Sequence, residues 1–176
     1  MSKQRLSKKF WSPNVNKLTP YTPGEQPLTN DYIKLNTNEN PSGPSLHVRG
    51  AIIKSLKTTG TNLRLYPEPE SGDLRKTIAK YHKINMNQVF VGNGSDEVLA
   101  FCFQAFLCKR GSIALPEIPY SFYPSLAKLF DIKTKLIYLE SDFSFSLENL
   151  NSSISSVIFA NPNATTGISL TKKYIR

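Results

Sequence analysis

The sequence predicts an α/β fold with a largely parallel sheet, on three observations. Short apolar runs at Val89–Val91, Ser112–Leu115, Lys135–Leu139 and Val157–Ala160 read as strands. Segments with helical spacing separate most of them, and Gly, Pro, Asn and Ser mark the boundaries. Strands alternating with helices pair most readily as parallel neighbours.

The first 44 residues carry Pro13, Pro20, Pro23, Pro27, Pro41 and Pro44 and are rich in Asn and Thr, which predicts an extended N-terminal segment. Ser45 opens a helix with Leu46, Ile52, Ile53 and Leu56 on one side, ended by Gly60. A turn-rich link, Tyr-Pro-Glu-Pro-Glu-Ser-Gly, leads to a second helix from about Ser71 in which Leu74, Ile78 and Tyr81 recur at helical spacing. Beyond Asn87 the alternation begins. The strand Val89–Val91 precedes an apolar helix over Ser95–Leu107, and Ser112–Leu115 precedes a helix over Ser121–Phe130. A short helix over Ser146–Leu150 is expected between the last two strands. The expected division is an arm over 1–44, a helical and linking segment over 45–86, and an α/β portion over 87–176.

Composition narrows the function. Apolar residues are 39% of the 176, enough to bury a core, and no apolar run approaches the roughly 20 residues of a membrane span. The net charge of +9 sits at the ends: residues 1–17 hold five bases and no acid, and the last six residues hold three more. The body between is close to neutral, so a nucleic-acid-binding face is not expected. Two cysteines in one apolar stretch make neither a disulfide framework nor a zinc site, and a reducing compartment follows. His47 and His82 lack a nucleophile partner at any useful spacing, and no ligand pattern suggests a metal.

Three segments carry chemistry. Gly92-Asn93-Gly94-Ser95-Asp96-Glu97 follows an apolar run and opens a helix, where N–H groups and a hydroxyl can converge on an anion. A tight turn with an N-cap accounts for the same residues. Asn161-Pro162-Asn163-Ala164-Thr165-Thr166-Gly167 follows an apolar strand, at the sheet edge where α/β proteins bind ligands. Pro119-Tyr120-Ser121-Phe122-Tyr123 follows another strand at that same edge and offers an aromatic face, or core packing.

Taken in order, Leu-Asn-Thr-Asn-Glu-Asn-Pro at 35–41, Leu-Tyr-Pro at 65–67, Gly-Asn-Gly-Ser-Asp-Glu at 92–97, Pro-Tyr-Ser-Phe-Tyr at 119–123 and Asn-Pro-Asn-Ala-Thr-Thr-Gly at 161–167 resemble the histidinol-phosphate aminotransferases. These are fold-type I enzymes that use pyridoxal 5′-phosphate. The likeness runs from about residue 18 to 170. It implies the N-terminal part of a fold-type I large domain, a mainly parallel sheet flanked by helices. It implies amino transfer between glutamate and imidazole-acetol phosphate in a cytoplasmic homodimer. By resemblance, Tyr120 stacks on the pyridine ring, and the backbone of Gly94, Ser95 and Asp96 cradles the cofactor phosphate. Tyr66 reaches the neighbouring subunit's cofactor, Tyr21 contacts the substrate phosphate, and Asn38 and Asn40 line the substrate entrance.

Two departures stand out. Thr165 replaces the family's second proline, and Ala164 stands where many relatives place the asparagine that bonds the cofactor's phenolic oxygen, so that contact either falls to Asn163 or is weaker. The family's Schiff-base lysine lies beyond position 176, and the lysines present fall outside any matching context, so this stretch alone is expected to lack the catalytic group. Related readings are a phospho-threonine decarboxylase, an aromatic aminotransferase, and a non-catalytic remnant or half of a split enzyme.

Overall fold

The computed structural model describes residues 10–19, 24–25, 33–56, 60–148 and 150–172; Tyr21 lies outside them. The chain divides into two compact units, one of Met1–Pro23 with Gly94–Arg176 and the other of Gly24–Asn93.

The first unit holds the sheet. Strands β1 (Ser112–Pro116), β2 (Thr134–Ile137) and β3 (Ile154–Val157) run in the order β2-β1-β3, and both pairings are parallel. Ile113 faces Thr134 on one side and Ser156 on the other. The reason β1 takes the centre is in its composition. Ile113, Ala114 and Leu115 are all buried, so the strand is apolar on both faces, as only an interior parallel strand can afford to be.

Helices lead into β1 and β2, while the β2–β3 connection carries none among its described residues. The short helix α1 (Pro13–Asn16) is capped by Ser12, whose hydroxyl accepts from Val15 N–H, and Asn14 Nδ2 donates to Leu129 O. The long apolar helix expected over Ser95–Leu107 forms as α4 (Ser95–Cys102) followed by a π-helical turn over Phe103–Leu107, closed by Cys108 N–H to Phe103 O at 2.9 Å. Helix α5 (Phe122–Leu129) returns the chain to β2. Phe103, Leu107, Ile113, Leu115, Tyr123 and Leu126 form the larger core, and Ala114, Ile137, Phe145 and Leu170 form a second one. Alternate residues of β1 belong to the two cores, as the two-residue period of a strand requires.

The Gly24–Asn93 unit is helical. Helix α2 (Leu46–Leu56) has no buried residue, and Leu46, Ile52 and Ile53 are each more than half exposed. A 3-10 turn over Thr61–Arg64 follows it, and Asn62 Nδ2 donates back to Ser55 O. Helix α3 (Gly72–His82) starts one residue later than Ser71, because Ser71 adopts φ 51° and its side chain makes no cap. Glu68 caps instead: its Oε2 accepts from Gly72 N–H at 2.6 Å and its Oε1 from Glu70 N–H at 3.0 Å.

Three expectations are corrected. Val89–Val91 is not a strand: Val89 N–H closes a 3-10 turn on Met86 O, and Val89 O accepts from Arg75 Nε, so its backbone is committed elsewhere. Ser146–Leu150 forms no helix among its described residues; Glu148 N–H turns to Ser146 Oγ, and five residues barely cover the cost of a helical nucleus. The last strand lies at Ile154–Val157 rather than Val157–Ala160. After Ile158 N–H reaches Ala114 O, β1 ends in Pro116, which has no donor with which to extend a ladder.

Candidate active site

Three connections meet at one end of the first unit. Because β1 and β3 are parallel neighbours, the segments that follow them leave the same edge of the sheet. The β1 exit carries Glu117 to Tyr120, and the β3 exit carries the Asn161–Gly167 loop.

The third part is the start of α4. Gly94 sits at its N-cap with φ 85° and ψ 171°, a backbone region that a side chain strongly disfavours. A Cβ built there would meet nothing within 4 Å, so the turn opens outward. Gly94, Ser95 and Asp96 are exposed. The first turn of a helix leaves N–H groups without intrahelical carbonyl partners and concentrates positive potential there. Asp96 and Glu97 offset part of that field. The carboxylate of Asp96 is turned aside, however: its Oδ1 accepts from Tyr120 Oη at 3.0 Å.

That bond ties the β1 exit to the α4 start. Tyr120 is half-buried, with its ring edge-on to Tyr123 at 5.6 Å and tilted against Phe122. Burial raises the Tyr123 phenol above the ordinary tyrosine range. Asn163 is the one buried polar side chain among the described residues. Its Nδ2 donates to Ile118 O at 3.0 Å and its Oδ1 accepts from Thr165 N–H at 3.0 Å. Thr165 Oγ1 donates in turn to Pro119 O at 3.2 Å. A backbone pair, Asn163 N–H to Ile168 O and Gly167 N–H to Asn163 O, closes the loop, with Gly167 at φ 74°. Asn161 fixes the loop's far end through both amide atoms to the backbone of Leu170.

Five of the expected site residues, Gly94, Ser95, Asp96, Tyr120 and Asn163, thus share the first unit, and Asp96 and Tyr120 are in direct contact. Tyr66, Asn38 and Asn40 belong to the Gly24–Asn93 unit. Tyr66 follows the 3-10 turn and is fully exposed. Asn38 has φ 53°, and Asn40 Oδ1 accepts from Ser42 N–H. The sequence does not single out Thr165 or the side chain of Asp96 as contacts; its one hint is that Thr165 stands where the resembled pattern has a proline. Among the described residues no cluster of His, Cys, Asp or Glu could hold a metal ion.

The donor set suits a phosphorylated planar cofactor. A glycine-opened helix start with an adjacent serine hydroxyl accepts a phosphate group, and an aromatic ring is anchored to that same turn.

The first unit is thus a parallel α/β sheet with a glycine-opened helix start tied to an aromatic at its exit edge. The chain belongs to the aminotransferase class I and II family, which it matches over residues 30–176. Aminotransferases of this class use pyridoxal 5′-phosphate. The chain is 48% identical, over all 176 of its residues, to histidinol-phosphate aminotransferase 2 of Psychrobacter arcticus, covering 47% of that protein. It is 48% identical over 164 residues to the histidinol-phosphate aminotransferase of Brachyspira hyodysenteriae, covering 93% of this chain and 46% of that one. The fold also matches the crystal structure of L-threonine-O-3-phosphate decarboxylase from Porphyromonas gingivalis, with a TM-score of 0.61 at 22% identity over 73% of this chain and 39% of that one. The chain spans about half the length of the curated relatives it matches. Among the described residues no helix is long and apolar enough to cross a membrane.

Proposed function

We propose that this chain provides the cofactor cradle of a pyridoxal-5′-phosphate-dependent histidinol-phosphate aminotransferase, a cytoplasmic homodimer that transfers an amino group between glutamate and imidazole-acetol phosphate. The observation that carries the reading is the Tyr120–Asp96 hydrogen bond, which couples a ring suited to stacking to a turn suited to phosphate. The 48% identity to proteins of that name supports the substrate assignment.

In this reading the N–H groups and hydroxyl at Gly94, Ser95 and Asp96 hold the cofactor phosphate. Tyr120 packs on the pyridine ring, and Asn163, whose Nδ2 carries a second hydrogen beyond the one given to Ile118, donates toward the ring's oxygen. Tyr66 serves the partner subunit's cofactor, while Tyr21, Asn38 and Asn40 contact the phosphorylated substrate. Bound there, the cofactor supplies an electron sink for the substrate's amino carbon. What these residues do is bind, orient and shield that group. The 176 residues by themselves are expected to give no turnover, since none of their lysines is placed with the cradle by sequence pattern.

The test uses the full-length protein that carries this chain. Pyridoxal 5′-phosphate should bind with a defined stoichiometry, and histidinol phosphate with 2-oxoglutarate should turn over. Tyr120→Ala should weaken cofactor binding several-fold to about tenfold, the worth of an aromatic stack of ~0.5–1.5 kcal/mol. Unchanged cofactor affinity in that variant, or decarboxylation of phosphothreonine in place of transamination, would overturn the reading.

A further inference from the structure

Position 165 is one of two places where this chain leaves the pattern it resembles, and the structure shows what the threonine there bonds. Thr165 donates twice: its N–H to Asn163 Oδ1 at 3.0 Å, and its Oγ1 to Pro119 O at 3.2 Å. A proline there has neither an N–H nor a hydroxyl, so both bonds belong to the threonine. The first matters because Asn163 is only 5% exposed, and an unmet acceptor at such a depth is costly. The second matters because of where it lands. Asn163 Nδ2 holds Ile118 O and Thr165 Oγ1 holds Pro119 O, so two successive carbonyls immediately before Tyr120 are gripped from the β3 loop. Tyr120 is held at its far tip by Asp96. The backbone just before it is held by the Asn163–Thr165 pair.

We infer that Thr165 is a positioning residue: acting with Asn163, it latches the Ile118–Pro119 backbone to the β3 loop and thereby sets where the Tyr120 ring stands. Thr165 touches no substrate in this role and acts through the carbonyl of Pro119 and the amide of Asn163. The inference rests on the proposed function, since it assigns Tyr120 to the cofactor.

The experiment is a coupling cycle in the full-length protein, reading pyridoxal 5′-phosphate affinity together with hydrogen exchange of the cofactor-free form. Thr165→Val removes the hydroxyl and keeps the N–H; Thr165→Ser restores the hydroxyl. Because Thr165 is exposed, the expected loss in Thr165→Val lies near the low end for one hydrogen bond, about two- to fivefold in affinity. Thr165→Ser should bind as the parent does. In a Tyr120→Ala background Thr165→Val should cost nothing more, because the effect travels through that ring. Without cofactor, the peptide spanning residues 118–123, where Tyr123 N–H donates to Tyr120 O, should exchange faster in Thr165→Val and normally in Thr165→Ser.

Three results would count against the latch. Parent-like affinity and exchange in Thr165→Val overturn it outright. An equal loss in the Tyr120→Ala background shows a general structural effect and overturns it as well. Failure of the serine to rescue removes the hydroxyl from the argument. If Tyr120→Ala leaves cofactor affinity intact, the proposed function falls instead, and the cofactor-free exchange decides alone whether Thr165 positions the loop.

Discussion

At the scale of single residues, side chains take over work that the local sequence assigns elsewhere. Ser71 has the identity of a helix cap but the wrong backbone, and Glu68 supplies the cap from three residues upstream. The Gly72 N–H first, then that of Glu70, hold the Glu68 carboxyl below the ordinary glutamate value of 4.5, with a smaller contribution from Arg75. A carboxyl whose pKa is lower in the folded state stabilises fully above its unfolded value, and that stabilisation is lost as pH falls through the lowered one. Helix α3 should therefore loosen as pH drops below about 4.5, a value typical of free glutamate. Glu68→Ala should remove the cap at neutral pH and flatten that part of the profile. Circular-dichroism melts of both proteins from pH 7 to pH 3 check it; parallel losses would show that another group carries the acid sensitivity. The site offers the same lesson. The sequence made Asp96 a backbone donor, but its carboxylate holding Tyr120 depends on a contact between residues 24 positions apart, which no local pattern encodes.

At the scale of elements, periodicity served well wherever an element's partners are nearby in the chain. Helices α2, α3, α4 and α5 stand close to where apolar spacing puts them, as does β1. It misled where pairing decides. Val89–Val91 has a strand's composition, yet the N–H of Val89 goes to a turn and its carbonyl to Arg75. The π-helical turn after α4 was also invisible, because helical spacing does not distinguish one ring size from another. That turn carries Phe103, which is fully buried, while Phe106 in the same turn is 66% exposed. Phe103→Ala should lower the unfolding free energy by about 3–5 kcal/mol, the usual cost of emptying a large core position. Phe106→Ala should cost far less, within about 1 kcal/mol. Denaturant melts separate them, and comparable losses would mean that the packing around Phe103 is not the core described above.

At the scale of the whole molecule, the fold class and the family were legible in the order of five short motifs, while the β2-β1-β3 order was not. Strand order depends on which faces are apolar after folding, and only the two-faced burial of Ile113, Ala114 and Leu115 reveals β1 as central. The uncovered apolar side of α2 has a colloidal consequence. Surface of that kind draws copies together at short range, whereas a net charge of +9 pushes them apart at long range. Salt weakens only the second force, since the screening length falls from about 30 Å at 0.01 M to about 10 Å at 0.1 M. Light scattering from the 176-residue chain should thus report net repulsion between molecules in dilute buffer and net attraction as salt is added. Ile52→Lys with Ile53→Glu, which leaves the charge unchanged, should delay that crossover to higher salt; an unmoved crossover would place the attraction on another surface. For this stretch of chain, the balance between the two forces is then expected to follow the salt around it.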